Sequence, residues 1–93
     1  MRVIQSGSFS RSLKKLDKQQ KKALDAEIRK IMQNPAIGAQ KKGDLRGVFV
    51  HKFKIRTTLY LLSYRPASNN LEMIMVGPHE NYYRDMKSYW KDR

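Results

Sequence analysis

Two short stretches of this 93-residue chain hold the side chains best suited to chemistry. Lys52, Lys54 and Arg56 recur at every second position. In an extended strand that spacing puts them on one face, about 6–7 Å apart. His79 follows Gly77-Pro78, where an apolar run stops, and Tyr83 and Lys87 follow it at four-residue intervals. In a helix that interval stacks side chains on one face. Arg84 lies next to Tyr83, and Arg65 ends a tyrosine-rich run before Pro66. Clustered cations, a histidine and an aromatic suit RNA phosphate chemistry. Cleavage by attack of the 2′-hydroxyl needs a base for the 2′ proton and an acid for the leaving 5′ oxygen. It also needs positive charge against the phosphate. Lysine and arginine supply the charge, and a lysine crowded by cations gives up its proton more readily. Histidine is the side chain that ordinarily titrates nearest neutrality. Tyr83 is placed to stack on an exposed base.

Each of these residues also has a plainer reading. The basic strand is equally the solvated face of an antiparallel sheet. His79 is equally a surface or capping histidine, and Arg84 equally a surface partner of Glu80. His51 alternates onto the side of Phe49 and Phe53 and reads as packed or at a rim. Tyr82 and Trp90 belong with an apolar stripe. The balance is moved by charge: 20 Lys and Arg stand against 8 Asp and Glu, a net charge of +12. Such an excess points to a polyanion, because neutralising phosphates releases condensed counterions. An acidic protein is the second candidate partner. A membrane surface is weaker, since no long helix splits cleanly into basic and apolar faces.

Other chemistries find little support. With no cysteine there is neither a disulfide framework nor a thiolate metal site. His51 and His79 are too few for a histidine-built metal centre unless carboxylates join them. The expectation is therefore no metal and no cofactor. No glycine-rich nucleotide loop and no serine or cysteine nucleophile arrangement is evident. No apolar run approaches the roughly 20 residues that span a bilayer. The opening residues lack a secretion signal's apolar core, so the expected location is the cytoplasm.

The elements that must position these residues fit one domain over residues 1–93. Residues 2–5 read as a short strand. Ser8 is the expected cap of a helix over 9–15 carrying Phe9, Leu13 and Leu16. Asp17 and Gln20 form a capping box opening a helix to Gln33, with Leu24, Ile28, Ile31 and Met32 as its apolar stripe. Asn34-Pro35 ends it. Residues 36–47 read as a loop. Residues 47–56 alternate, with Phe49, His51, Phe53 and Ile55 on one side and Val48, Val50, Lys52, Lys54 and Arg56 on the other. Strands over 58–65 and 71–76 flank a turn at 66–70, and short connections imply antiparallel pairing. An amphipathic helix over 79–91 closes the chain. The fold class is α+β: an N-terminal helical hairpin packed on a small twisted antiparallel sheet, with a C-terminal helix.

These features resemble the RelE/ParE superfamily of toxins from type II toxin–antitoxin modules, and most closely its RelE/YafQ-like mRNA interferases. The resemblance covers nearly the whole chain. It is carried by the hairpin ending at Asn34-Pro35, the Gly43-Asp44-Leu45-Arg46-Gly47 entry to the basic strand, the strand ending in Tyr64-Arg65, and Gly77-Pro78-His79-Glu80-Asn81-Tyr82-Tyr83-Arg84. It implies a RelE-like, microbial RNase-like fold and metal-free cleavage of mRNA in the ribosomal A site. It also implies a cognate antitoxin that wraps the toxin as a hetero-oligomer. Lys52 and Lys54 match the basic strand of the RelE branch. His79 and Tyr83 fall where the YafQ-like branch has a histidine and an aromatic. The catalytic set expected is His79, Lys52, Lys54 and Tyr83, with Arg56, Arg84, Arg65 and Lys87 on phosphate. Leu61 departs from the pattern, since the RelE branch carries arginine there. Two alternatives stay open: a ParE-like inhibitor of DNA gyrase, and a degenerate, non-catalytic antitoxin-binding module.

Overall fold

The computed structural model describes residues 2–40 and 47–79. Strand β1 (Arg2–Gln5) leads into helices α1 (Gly7–Lys14) and α2 (Lys18–Gln33). Strands β2 (Ala39–Gln40), β3 (Phe49–Ile55), β4 (Thr58–Ala67) and β5 (Asn70–Pro78) follow. Among the described residues they form one five-stranded sheet in the order β1-β5-β4-β3-β2. Neighbours from β2 to β5 run antiparallel, and β1 joins β5 in parallel. The α+β sheet is thus mixed rather than wholly antiparallel. The expected C-terminal helix lies, beyond His79, outside the described residues, as do positions 41–46 of the expected loop.

Local sequence explains most element ends. Asp17 accepts from the Gln20 N–H, and the Gln20 side chain accepts from the Asp17 N–H, each at 2.8 Å. This reciprocal box satisfies two amides that the helix itself leaves open. The other cap is Ser6, not Ser8. The Ser6 hydroxyl accepts from the Phe9 N–H at 3.0 Å and donates to the Ile74 carbonyl at 2.6 Å. One side chain therefore starts α1 and ties the end of β1 to β5. β2 was expected as loop; its two residues pair with Val50 and Phe49 at the sheet edge.

The helices cover one face of the sheet, α1 over β5 and α2 over β3. Phe9, Leu24, Ile31, Phe53, Ile55, Tyr60, Leu62, Tyr64, Leu71, Met73 and Val76 form the core there. Fully burying one such side chain contributes about 1.5–3 kcal/mol. Met32, placed by spacing in the stripe, is exposed instead. Tyr64 is wholly buried, yet its hydroxyl donates to the Pro35 carbonyl at 2.8 Å and accepts from the Gly38 N–H at 3.0 Å. Burial pushes this phenol above its ordinary range, against the opposing pull of the Gly38 N–H. Gly38 has to be glycine, because a Cβ would stand 2.9 Å from both the Tyr64 hydroxyl and the Val50 carbonyl oxygen.

Candidate nucleic-acid face

The opposite face is not simply wet. Val48, Val50, Leu61, Ile74 and Met75 form a second buried cluster on it. This two-sided burial explains why β4 and β5 read as nearly continuous apolar runs rather than alternating ones. Polar side chains occupy the two ends of the face. At one end Arg65 on β4 meets Glu72 on β5, its guanidinium donating to one carboxylate oxygen at 2.7 and 3.1 Å. At the other end stand Lys52 and Lys54, both exposed.

β3 itself makes this arrangement. Phe53 and Ile55 turn to the helices, so Lys52 and Lys54 turn away from them. Lys52 lies opposite Leu61, and Lys54 opposite Leu59. On the far side of β4, Leu61 pairs with Gly77 and Tyr60 with Pro78, the last pair of that ladder. His79 is the next residue and is exposed. It therefore leaves the sheet at the end where Lys54 stands, two strand spacings across, or roughly 10 Å.

Arg56 does not join them. Ile55 pairs with Thr58, which makes Arg56-Thr57 a two-residue hairpin loop, and Arg56 has φ 58°. Such tight loops favour left-handed residues because their twist matches the strands. The Arg56 side chain donates to Gln19 at the start of α2, on the helix side of the sheet. Arg65 shares the lysine face but sits four residues along β4 from Leu61, roughly 13 Å away, and is committed to Glu72. Tyr83, Arg84 and Lys87 lie outside the described residues.

His51 packs as expected, stacked on Phe53 with ring centroids 6.0 Å apart. Its partner was missed: His51 Nε2 donates to Glu27 Oε1 at 2.7 Å, and Lys30 donates to the other oxygen at 3.0 Å. The signal was present in α2. Glu27 sits among Leu24, Ile28 and Ile31 on the buried stripe, and a carboxylate there needs a partner. Leu61, wholly buried, packs with the second cluster and offers nothing to a phosphate. Among the described residues no group of three His, Asp or Glu side chains is placed to hold a metal ion. None of their helices is long and apolar enough to cross a membrane.

A helical hairpin on one face of a small sheet, with Lys52 and Lys54 exposed on the other, defines a small basic α+β domain. Residues 3–87 match the family model described as the ParE-like toxin of type II bacterial toxin–antitoxin systems. The chain belongs to that family, within the RelE/ParE superfamily of toxins. No curated protein sequence matches it. Its fold is similar to that of the isolated Escherichia coli RelE toxin, at 21% identity and a TM-score of 0.65, covering 94% of this chain and 96% of RelE. It is also similar to E. coli YafQ, at 18% identity and a TM-score of 0.62, covering 89% and 99% of the two chains. A RelBE toxin–antitoxin complex of Mycobacterium tuberculosis matches at 21% identity and a TM-score of 0.64, covering 84% and 96%.

Proposed function

We propose that this toxin is an mRNA endoribonuclease that works on the ribosome and is held in check by a cognate antitoxin in the cytoplasm. The observation that carries the reading is the shared end of the second sheet face. Lys52 and Lys54 stand exposed there, and β5 delivers His79 to the same end. His79 leaves the sheet two strand spacings from Lys54, roughly 10 Å, and in this reading the scissile nucleotide lies against these groups.

In this reading the 2′-hydroxyl oxygen attacks the adjacent phosphorus. The new O2′–P bond forms as the P–O5′ bond breaks, leaving a cyclic phosphate and a free 5′-hydroxyl. His79 and one lysine divide the two proton transfers: one takes the 2′ proton and the other protonates the leaving oxygen. The second lysine holds the charge that builds on the phosphate, where a fixed cation is worth most. Tyr83 stacks on a base, while Arg84 and Lys87 contact flanking phosphates. Arg56 and Arg65, turned to Gln19 and Glu72, serve the fold. No step of this scheme calls for a metal or cofactor.

The test is primer extension on a reporter mRNA in a purified translation system. Cleavage inside the A-site codon, slowed roughly a hundredfold or more by His79→Ala, is the expected result. Intact mRNA beside normal translation would sink the reading. The second reading is a gyrase inhibitor, favoured by the family's ParE-like description and by Leu61 standing buried where a phosphate-binding arginine would serve. Recovery of gyrase on the immobilised toxin, with mRNA intact in the same cells, would establish that one instead.

A further inference from the structure

The first turn of α2 reaches the end of the sheet where the lysines stand. Gln20 makes the main link. Its Oε1 accepts from the Asp17 N–H at 2.8 Å, so its Nε2 is the end turned to the sheet, where it donates to the Tyr60 hydroxyl at 3.0 Å. Beside it, the Gln19 side chain accepts from the guanidinium of Arg56 in the loop joining β3 to β4. Arg56 holds a φ of 58°, which a residue other than glycine adopts uncommonly. Tyr60 is 7% exposed and stacks on Phe53, with ring centroids 5.9 Å apart. In the sheet it pairs with Phe53 on β3 and with Pro78 on β5. The row Phe53–Tyr60–Pro78 thus crosses three strands. The chain neighbours of its two ends are Lys52 and Lys54 on one side and His79 on the other.

We infer that Gln20, acting through the Tyr60 hydroxyl, is a positioning residue that sets the separation of the two lysines from His79. Tyr60 belongs to the core under the helices, so its hydroxyl faces away from the lysines and from a phosphate held by them. What the bond governs is the seat of the row. A ladder opens most easily at its end, and Tyr60 with Pro78 is the last pair of the β4–β5 ladder. Tying the phenol to a capped helix holds that pair, and the pairing to Phe53 carries the hold across to β3. Proton transfer between groups on different strands depends on such a hold, since a misplacement of about 1 Å costs about a hundredfold. The coupling is confined to this row. Glu27 fastens α2 to His51, two residues before Phe53, and Leu24 packs in the core a turn beyond Gln20. The role rests on the cleavage reading, whose groups it places.

The test measures kcat and KM for reporter mRNA on programmed ribosomes across pH, with each rate divided by the folded fraction from urea melts. Tyr60→Phe keeps the ring, its stacking and the capping box, and removes only the hydroxyl. It is expected to lower kcat roughly tenfold, to leave KM within about twofold, and to keep both limbs of the pH profile. Gln20→Glu is expected to restore kcat to within about threefold of wild type, because its carboxylate still accepts from the Asp17 N–H and now accepts from the Tyr60 hydroxyl. Gln20→Ala combined with Tyr60→Phe is expected to be no slower than Gln20→Ala alone, as for two ends of one bond. Glu27→Gln, the control further along α2, is expected to cleave at the wild-type rate. Wild-type kcat per folded molecule in Tyr60→Phe would overturn the positioning role and leave the cleavage reading intact. A raised KM with unchanged kcat would also overturn it, and so would a lost pH limb, which would make Tyr60 a proton-transfer group. Uncut mRNA with wild-type protein would overturn the cleavage reading and the positioning role together.

Discussion

The two faces of the sheet are built from the same strands and hold opposite things. Among the described residues, eleven buried side chains under the helices form one continuous core. On the other face five described apolar residues form a buried cluster, and charge stands at both ends of them. β3 shows the contrast residue by residue: Phe53 and Ile55 are core, while Lys52 and Lys54 between and beside them are exposed. Because side chains alternate at each step, one strand can anchor the fold with Phe53 and Ile55 and still present Lys52 and Lys54 to solvent. The difference teaches that, at this end of β3, parity keeps the core residues Phe53 and Ile55 apart from the exposed lysines that the proposed chemistry uses.

The strongest break of that separation is on the helix side. Leu24→Ala removes a side chain that is 1% exposed from the centre of the core. It is expected to lower unfolding free energy by about 2–5 kcal/mol in urea melts, while the fraction still folded cleaves RNA at the normal rate. A lowered rate per folded molecule would show that the faces are coupled. The next effect belongs to the other face. Lys52→Ala with Lys54→Ala is expected to slow cleavage about a hundredfold, or about 2.7 kcal/mol of transition-state stabilisation. Its stability should stay within about 0.5 kcal/mol of wild type. Single-turnover cleavage and urea melts of the same preparation measure both, and a destabilised double variant would refute the parity argument.

A smaller effect sharpens the comparison where the faces meet at the edge of the sheet. Tyr64→Phe strips the hydroxyl that ties Pro35 and Gly38 to β4. It leaves a carbonyl and an amide without that partner, worth about 1–3 kcal/mol. Amide exchange at Gly38 is expected to quicken more than at Leu24. Uniform quickening at both would mean that the tether only adds to global stability.

Sequence alone carried the parity of β3, because seven alternating residues leave little choice of face, and it carried the capping box, because both partners are local. It failed where a distant partner decides. Ser6 outcompetes Ser8 as the cap because its hydroxyl also reaches Ile74, 68 residues away. Arg56 continues the basic alternation on paper, yet the two-residue loop turns it through a left-handed φ toward Gln19. β2 is too short to show a period, and the parallel pairing of β1 follows from a neighbour at the far end of the chain. Of the proposed site, Lys52 and Lys54 were legible from spacing. The retirement of Arg65 to Glu72 was not, because it depends on which residues of β4 and β5 face each other.

The smallest effect belongs to Glu27, the carboxylate on the helix-side stripe. Burial pushes its carboxyl up from the ordinary 4.5, but hydrogen bonds from His51 and Lys30, with the charge of Lys30 behind them, outweigh that and leave it lowered. A carboxylate whose folded pKa is depressed binds protons less readily in the native state than in the unfolded one. Its contribution is therefore complete above the unfolded value near 4.5 and is lost as pH falls through the lower folded value. Glu27→Gln keeps the shape and removes the charge. Urea midpoints taken from neutral pH downward should show wild type above the variant, with the gap closing below the ordinary carboxylate range. A gap that stays constant with pH would mean that packing against His51 and Phe53, not charge, is what Glu27 supplies. In either case cleavage at neutral pH should not change, because the pair lies under α2 and the lysines of the same strand point the other way.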